Sequence, residues 1–445
     1  MTGLPVVVVG AGPAGLSAAA HLLERGLQPL VLEAGERAGA AVEQWHHVRL
    51  FSRWAELIDP AAGRLLDSVG WQRPDDDVYP TGAEWAEGYL RPLAAALGDH
   101  VRLGARVAGV ARRGRDRVVT DGRENEPFTV HVETAAGEER ITAASVIDAS
   151  GTWGSPNPLG GDGLPAAGER AVADQVSYRV PDLSVPEVRS RYAGKRVVVA
   201  GSGHSALTAL VALAGLAEET GTRIVWLLRR GATGNVFGGG AADQLPERGA
   251  LGLRAKEAAD AGHVQTVTGF RTASVSRADN GTLVLESFEG HSLDEVDEVV
   301  VLTGFRPDLS WLSEIRLELD SVLQAPTKLA PLIDPNVHSC GTVYPHGEAE
   351  LRHPEPGFYL VGMKSYGRAP TFLSLTGYEQ VRSVVAAIAG DREAAERVEL
   401  VLPETGVCGG AGVFDEPAPA EAESSCCGAP SGPVEVSIGI GASAR

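Results

Sequence analysis

Two stretches of the chain share one pattern of hydrophobic and polar positions. Each begins with an apolar, β-branched run, Val6–Val9 in the first and Arg196–Ala200 in the second. A glycine-rich turn follows, then a helical stretch, which we predict over Leu16–Arg25 and Ala206–Glu219, and then a second apolar run. Because continuous β-branched runs are typical of parallel strands buried on both faces, each stretch predicts strand, turn, helix and strand.

The first turn has a spacing of glycines that suits a bound diphosphate. Gly10 permits the tight turn, Gly12 lets the backbone approach the diphosphate, and Gly15 lets the helix pack closely on the strand. Pro13 suits the first helical turn. The unpaired N–H groups there, that of Ala14 included, attract an anion together with the helix dipole.

An acidic residue ends the second strand of this first unit. The strand Leu30–Leu32 runs into Glu33, which lies 18 residues beyond Gly15. A carboxylate at this position accepts hydrogen bonds from both hydroxyls of an adenosine ribose and repels a 2′-phosphate. The first unit is therefore predicted to bind FAD or NAD rather than NADP.

The second unit ends in a base instead of an acid. Its turn carries Gly201 and Gly203, with Ala206 in the third glycine position, which the pattern allows. The next strand, predicted over residues 224–228, runs into Arg229 and Arg230. A guanidinium pairs with a 2′-phosphate and contributes about 1.5–3 kcal/mol, so we predict NADPH at this turn. The alternative is that both arginines only end a strand at the surface.

Further candidate cofactor contacts lie in the loops and turns beside these strands. They are Trp45, Arg49, Ser52, Gly151, His204, Ser205, Thr303, Gly304 and Gly362. The first three follow the second strand and either line the flavin or belong to ordinary core and surface. His204 and Ser205 either flank the NADPH diphosphate or form a solvent-exposed pair. A helix within residues 370–388 is predicted to direct its N-terminus at the flavin.

The order of these units predicts an α/β fold with two Rossmann-like, three-layer dinucleotide-binding domains. We expect an FAD-binding domain split by an inserted NADPH-binding domain. The predicted boundaries are 1–165 for the first FAD part, 166–318 for the NADPH domain and 319–402 for the second FAD part. Residues 403–445 hold 13 Gly and Pro among 43 positions, which predicts a disordered acidic tail.

Composition narrows the class of partner. The 39 basic and 58 acidic residues give a net charge of −19, which disfavours nucleic-acid binding. The sequence begins without a signal-peptide pattern and has no run of 18 apolar residues, so we expect a cytoplasmic protein with no membrane span. The prediction leaves homo-oligomerisation open.

The sequence predicts no dedicated metal site. Adjacent His46 and His47 lack the spacing of a histidine metal motif, which favours a plain loop pair. In the tail, Cys408, Cys426 and Cys427 are weak candidate thiolates for a soft metal or metalloid.

Across about residues 4–400, the chain resembles the flavoproteins with two dinucleotide-binding domains, among them the class B flavin-dependent monooxygenases. The resemblance rests on both glycine turns, Glu33, Arg229 and Thr303-Gly304. The segments 45–52 and 362–368 look like a narrower actinobacterial-type group of flavin monooxygenases, some encoded beside arsenic-resistance genes. The resemblance implies that a C4a-peroxyflavin transfers oxygen from O2 to a small substrate with a soft N, S or As atom. The flavin would then carry the chemistry, with no catalytic side chain identified.

One departure from that family keeps two other functions open. The class B motif FxGxxxHxxx(F/Y/W), ended at Tyr178, would need His, Gly and Phe where the chain has Asp174, Arg170 and Gly168. A reductase that passes electrons from NADPH to a quinone, O2 or a protein is therefore the second hypothesis. A thioredoxin-reductase type of mechanism is disfavoured, because no cysteine precedes Cys340. A non-catalytic redox or metalloid sensor is the third hypothesis.

Overall fold

The structure, a computed structural model, describes residues 3–233, 236–243, 245–337, 345–370 and 372–400. All four cysteines and the predicted disordered tail lie outside the described residues, so those predictions are untested.

The strands, in chain order, are β1 (Val6–Val9), β2 (Pro29–Leu32), β3 (Val101–Arg102), β4 (Arg106–Arg112), β5 (Phe128–Thr134), β6 (Gly137–Ala143), β7 (Ser145–Asp148), β8 (Val176–Ser177), β9 (Arg196–Ala200), β10 (Arg223–Leu227), β11 (Val264–Val267), β12 (Thr272–Arg277), β13 (Leu283–Ser287), β14 (Ser292–Val296), β15 (Glu298–Val301) and β16 (Phe358–Leu360). The helices are α1 (Pro13–Glu24), α2 (Ala40–Glu43), α3 (Trp54–Leu57), α4 (Pro60–Ser68), α5 (Gly82–Trp85), α6 (Arg91–Leu97), α7 (Pro186–Tyr192), α8 (His204–Thr220), α9 (Pro246–Asp260), α10 (Ala330–Ile333), α11 (Glu348–Leu351), α12 (Ser374–Ile388) and α13 (Arg392–Glu396).

Two five-stranded parallel sheets form the centres of the two domains. The first has the order β16-β7-β1-β2-β3 and the second the order β11-β10-β9-β15-β8. Strand β16 comes from the far end of the described chain and pairs with β7, Phe358 opposite Val146. The predicted fold class, with one dinucleotide-binding unit inserted into another, is confirmed. The domain boundaries themselves stay predictions.

Each parallel sheet is covered by helices on one face and by a small antiparallel sheet on the other. Val6 and Val8 of β1 pack in the cluster that contains α1, α4, α6 and α12, whereas Val7 and Val9 pack against β4 and β5. In the second domain, Val197 and Val199 face α8 and α9, and Val198 faces β12–β14. This alternation explains why both strands are apolar at every buried position, since each buries both of its faces.

The nucleotide-unit helices begin earlier than the sequence indicated. α1 starts at Pro13 rather than Leu16, and α8 starts at His204 rather than Ala206. Proline is favoured in the first helical turn because its missing N–H has no partner there in any case. Strand β10 ends at Leu227, one residue before the predicted end, so Arg229 follows the strand rather than closing it.

None of the helices in the described ranges combines the length and apolar character that crossing a membrane requires.

Candidate functional site

The first glycine turn leaves a cradle at the N-terminus of α1. Gly12, the residue that precedes the helix, is extended, and its position provides no side-chain cap. A Cβ on Gly12 would meet no described atom within 4 Å, whereas one on Gly15 would lie 1.9 Å from the carbonyl oxygen of Gly10. Gly10 itself has φ +99° and passes close to the Ala149 carbonyl. Gly10 and Gly15 thus allow close backbone packing, and Gly12 leaves open space in front of the helix. Their roles toward a diphosphate stay predictions.

Glu33 is fixed beside this cradle by the backbone. Its Oε2 accepts from the Ala11 N–H at 2.7 Å and its Oε1 from the Gly35 N–H at 2.8 Å. The residue is half-buried. Because each carboxylate oxygen has further lone pairs, both can also accept hydrogen bonds from a ligand hydroxyl.

Residues from the C-terminal part of the chain pack beside the first glycine turn. Gly362 has φ +67°, and a Cβ there would meet the Cβ of Ala14 in α1 at 3.2 Å. The Gly362 N–H donates to Oε1 of Gln380 in α12 at 2.8 Å. A Cβ added to Gly151, which has φ +67°, would meet no described atom within 4 Å, so this residue leaves free space. These contacts bring α12 next to the start of α1. The direction of its N-terminus toward the flavin stays a prediction.

A buried ion pair, which sequence analysis did not predict, lies next to the first glycine turn. Lys364 Nζ is 2.7 Å from Asp148 Oδ2, and both side chains are at most 1% exposed. The ammonium also donates to Ser150 Oγ at 3.1 Å, and Ser150 Oγ donates to Asp148 Oδ1 at 2.6 Å. The pair joins the C-terminal end of β7 to a residue more than two hundred positions later in the chain.

The second glycine turn repeats the open geometry of the first. Gly203 is extended and provides no side-chain cap to α8, and a Cβ on it would meet no described atom within 4 Å. Gly201 has φ +135°, and its Cβ would clash with the Leu302 carbonyl oxygen at 2.3 Å. Ala206 is fully buried, and Trp226 Nε1 donates to the Gly201 carbonyl at 2.7 Å. The second turn is therefore as open at its middle glycine as the first, but its first glycine lies closer to the neighbouring backbone.

The two arginines after β10 have different surroundings. Arg229 is exposed, and its guanidinium forms no ion pair or hydrogen bond with any residue in the described ranges. Arg230 is half-buried, and its carbonyl accepts from the Gly269 N–H at 2.5 Å. The guanidinium of Arg229 is therefore exposed to solvent with no competing partner among the described residues.

His204 lies at the contact between the two domains. Its ring packs edge-on against Phe51 of the first domain, with the ring centroids 5.2 Å apart. Burial, with the nearby Arg248 guanidinium, lowers the pKa of His204 to about 4. Ser205 is exposed. His204 is thus partly buried at this contact whereas Ser205 is exposed, and the place of both beside the NADPH diphosphate stays a prediction.

Thr303 and Gly304, in the segment that follows β15, form hydrogen bonds with Asn157, in the segment that follows β7. Thr303 Oγ1 donates to the Asn157 carbonyl at 3.1 Å, and Asn157 Nδ2 donates to the Thr303 carbonyl at 2.8 Å. The Asn157 N–H donates to the Gly304 carbonyl at 2.9 Å. Arg306 Nε donates to Asn157 Oδ1 at 2.5 Å. These bonds hold the segment after β7 and the segment after β15 side by side.

The three residues predicted to line the flavin have different surroundings. Trp45 packs on Trp85, with ring centroids 6.4 Å apart. Arg49 is exposed and donates to the Tyr79 carbonyl. With residues of α8 and α9 it lines a cavity of about 430 Å³ between the domains. Ser52 is half-buried. Of the three, Arg49 is the one at an interdomain cleft.

The histidine pair predicted to be a plain loop pair has a third member. His46 and His47 face Asp182, which precedes α7 in the second domain, and one ligand atom from each lies within 4.8 Å of the others. Nothing in the sequence signals this cluster, because the aspartate is far away along the chain.

Comparison with known proteins agrees with this geometry. The sequence profile of the family described as pyridine nucleotide-disulphide oxidoreductase matches residues 7–339. A ferredoxin–NADP reductase from Ignicoccus hospitalis is 26% identical over 317 residues, which is 70% of this chain and 81% of that protein. The indole-3-pyruvate monooxygenase YUCCA1 from Oryza sativa subsp. japonica is 36% identical over 122 residues, 26% of this chain and 28% of that protein.

A solved structure shares the fold over most of the chain. The bacillithiol disulfide reductase from Bacillus cereus superposes with a TM-score of 0.62 at 21% sequence identity, covering 87% of this chain and 99% of that one. The predicted cofactor pair, FAD and NADPH, is confirmed at the level of the family and its relatives. The residues that hold each cofactor stay predictions.

Proposed function

The chain belongs to the pyridine nucleotide-disulphide oxidoreductase family, and from this premise we propose that it holds FAD at the first glycine turn and oxidises NADPH at the second. The observation that carries the proposal is the pair of helix N-termini without a side-chain cap, each with open space at its middle glycine. One of them faces a fixed carboxylate, and the other is followed by an exposed guanidinium that has no partner among the described residues.

At the first turn, the N–H groups that begin α1 would bind the FAD diphosphate, and Gly12 leaves the space for it. Glu33 would accept the ribose hydroxyls, since its carboxylate is already oriented by Ala11 and Gly35. Gly362 and the start of α12 would approach the flavin ring, and the positive end of the α12 dipole favours negative charge there.

At the second turn, α8 would bind the NADPH diphosphate in the same way, with Ser205 exposed at its start. Arg229 would pair with the 2′-phosphate, which NADH lacks. FAD held at the first turn would supply a hydride acceptor for the nicotinamide and a route for the two electrons to a further acceptor. The chain's own residues position the two cofactors; no side chain is assigned as a catalytic acid or base.

Our first candidate for the overall reaction is monooxygenation of a small substrate with a soft N, S or As atom. The similarity to a YUCCA monooxygenase over 122 residues supports this, together with the resemblance to class B monooxygenases. A dithiol route is disfavoured because the sequence has no CxxC pair and no cysteine before Cys340. We therefore predict that the reduced flavin delivers oxygen to a small soft-atom substrate and does not deliver electrons to a disulfide.

The second candidate is a reductase that delivers electrons to a protein, a quinone or O2 without inserting oxygen. Two observations favour it: the ferredoxin–NADP reductase similarity covers 70% of the chain, and the class B motif is absent before the second turn. Both candidates use the same two cofactor sites, so they differ only in where the electrons go.

Product analysis under ¹⁸O2 separates the two. Purified protein, reconstituted with FAD, is supplied with NADPH and either a thioether, a tertiary amine or arsenite. Monooxygenation predicts ¹⁸O in the product and NADPH consumption that rises with substrate. The reductase candidate is correct under two conditions. Without an added acceptor, peroxide accounts for all the NADPH consumed and no substrate gives a labelled product. Added ferredoxin or quinone then accelerates NADPH consumption. A Gly203→Asp variant, which places a carboxylate in the second cradle, serves as the inactive control.

A further inference from the structure

We propose that His46, His47 and Asp182 bind one divalent transition-metal ion, such as Zn²⁺, at the boundary between the two dinucleotide-binding domains. Their three ligand atoms lie within 4.8 Å of one another. The proposal is independent of the reaction assigned to the flavin, because it rests on side chains outside both glycine turns.

The carbonyl oxygen of Glu43 selects one tautomer of the neutral His46 ring. Its Nδ1 lies 3.1 Å from the carbonyl oxygen of Glu43, which can only accept, so Nδ1 carries the hydrogen. The neutral ring therefore presents a lone pair at Nε2, and Nε2 lies 3.1 Å from Asp182 Oδ2. His46 Nε2 and Asp182 Oδ2 are then two hydrogen-bond acceptors in contact, and a bound cation or proton is needed to hold them at this distance. A histidine that donates its second ring nitrogen to a carbonyl is also the usual arrangement of a metal ligand.

The carboxylate of Asp182 is oriented with one oxygen directed at the histidines. Oδ1 accepts from the Ser184 N–H at 3.0 Å and from Ser184 Oγ at 2.6 Å. Oδ2 remains for the two rings, at 3.1 Å from His46 and 4.0 Å from His47. The side chain is 13% exposed, so its position is held by the protein rather than by solvent.

His47 supplies the second observation that points to a ligand. Both of its ring nitrogens are buried; the Val180 backbone lies close to the ring, but neither nitrogen forms a well-aligned hydrogen bond with a residue in the described part of the chain. A buried polar nitrogen without a partner is costly. A metal ion bound to Nδ1 would satisfy the nitrogen that faces Asp182.

The dimensions and the ligand types both fit. Tetrahedral Zn²⁺ with bonds of about 2.0–2.1 Å places its ligand atoms about 3.4 Å apart. The separations of Asp182 Oδ2 from His46 and His47 are 3.1 and 4.0 Å, on either side of that value, and all three ligand atoms lie within 4.8 Å of one another. An inward shift of the two rings would bring the three atoms to bonding distance of one ion. Two imidazoles and one carboxylate favour zinc-like ions over Mg²⁺ or Ca²⁺. Three protein ligands leave a fourth position for water.

Such an ion would join the two domains. His46 and His47 follow α2, in the first domain, whereas Asp182 precedes α7 and packs with the second. Binding would restrain the movement of the domains and raise the temperature of unfolding, since the ion binds only when both segments are in place.

The test uses the full-length chain with its four cysteines changed to serine, so that tail thiolates bind no metal. Titration with ZnCl2 alone, followed by calorimetry, should give one equivalent. We expect His47→Ala and Asp182→Ala to weaken affinity at least 100-fold and to abolish the rise in unfolding temperature. The matched control is His263→Gln, which removes a histidine that pairs with Glu218 at 3.3 Å but has no third ligand in the described chain.

Two results would overturn the proposal. One is a cysteine-free parent that binds no Zn²⁺ at equimolar concentration, as expected if His46 and Asp182 form a plain ion pair. The other is an unchanged affinity in Asp182→Asn, which keeps the acceptor for Ser184 and so preserves the loop if the alanine variant fails to fold. Co²⁺ provides a further check, because its visible absorption distinguishes nitrogen and oxygen ligands from thiolates.

Discussion

The first glycine turn has its acid fixed in advance, whereas the second leaves its base exposed to solvent. Glu33 receives two backbone hydrogen bonds, and Arg229 forms none with described residues. The third position of the turn differs too, since a Cβ at Gly15 would collide with the backbone and the Ala206 methyl is buried without difficulty. These differences suit a cofactor that stays bound at the first turn and one that exchanges at the second.

The strands beside the two turns show the same contrast. Asp148 of β7 lies opposite Val9, and Val301 of β15 occupies the matching position opposite Ala200. The first site therefore contains a buried ion pair with Lys364, where the second has a valine. A preorganised site is expected to tolerate fewer changes than an exposed one.

The largest effect is expected from Gly15→Ala. The added Cβ would lie 1.9 Å from the Gly10 carbonyl oxygen, so α1 must move away from β1. We expect flavin retention to fall at least 100-fold, measured as flavin absorbance per protein after gel filtration. The matched change Ala206→Gly should cost about 1 kcal/mol of stability and leave flavin content unchanged. A Gly15→Ala protein that keeps a full complement of flavin would contradict the proposed packing.

Lys364→Met should have the next largest effect, because it leaves Asp148 as an unpaired charge in the interior. Breaking a buried pair in this way costs about 3–5 kcal/mol, to be measured as the loss in free energy of unfolding by guanidinium titration. The double variant with Asp148→Asn should recover part of the loss. If the single variant is as stable as wild type, the pair contributes nothing to the first domain.

Arg229→Ala is expected to weaken NADPH binding by roughly 10- to 150-fold, which corresponds to about 1.5–3 kcal/mol for a charge-assisted contact. NADH binding should change little, because it has no 2′-phosphate. Fluorescence titration of both nucleotides measures the ratio. Arg223→Ala, which changes an exposed arginine at the start of the same strand, is the control. An unchanged NADPH-to-NADH ratio would mean that Arg229 only ends the strand.

The smallest effect, compared over the first pH unit below about pH 6.5, is a pH-dependent stability at His204, whose pKa is lowered to about 4 in the folded protein. The unfolded histidine titrates near 6.5, so the unfolded state binds more protons between about pH 6.5 and 4. Stability from this residue is therefore complete above about pH 6.5 and is lost on acidification, at up to about 1.4 kcal/mol per pH unit. His204→Gln should flatten the pH curve of unfolding by that amount; equal slopes would argue against a buried neutral ring.

The sequence predicted those parts of the site that depend on local order. The glycine turns, Glu33 and the strands β1 and β9 are contiguous, and their positions follow from backbone geometry within one unit. Proline at the first helical position explains why α1 begins earlier than its apolar pattern suggests.

The sequence did not predict the contacts that join distant segments. Lys364 and Asp148 meet only because β16 returns to β7, and Asp182 meets His46 only across the domain boundary. The two antiparallel sheets that cover the parallel ones also escaped prediction, since long connections such as residues 113–127 interrupt their strand pattern. Trp45 packs on a neighbouring tryptophan, a contact that residue type alone does not distinguish from flavin contact.

Anaerobic reduction of the FAD-reconstituted wild-type protein, followed by flavin absorbance with NADPH and with NADH, shows whether the two turns select different nucleotides. We expect the protein to retain FAD through gel filtration. We also expect NADPH to bleach the flavin with a half-saturating concentration at least tenfold below that of NADH. Protein that retains no flavin, or that NADH reduces at the same half-saturating concentration, would disprove the assignment of FAD to the first turn and NADPH to the second.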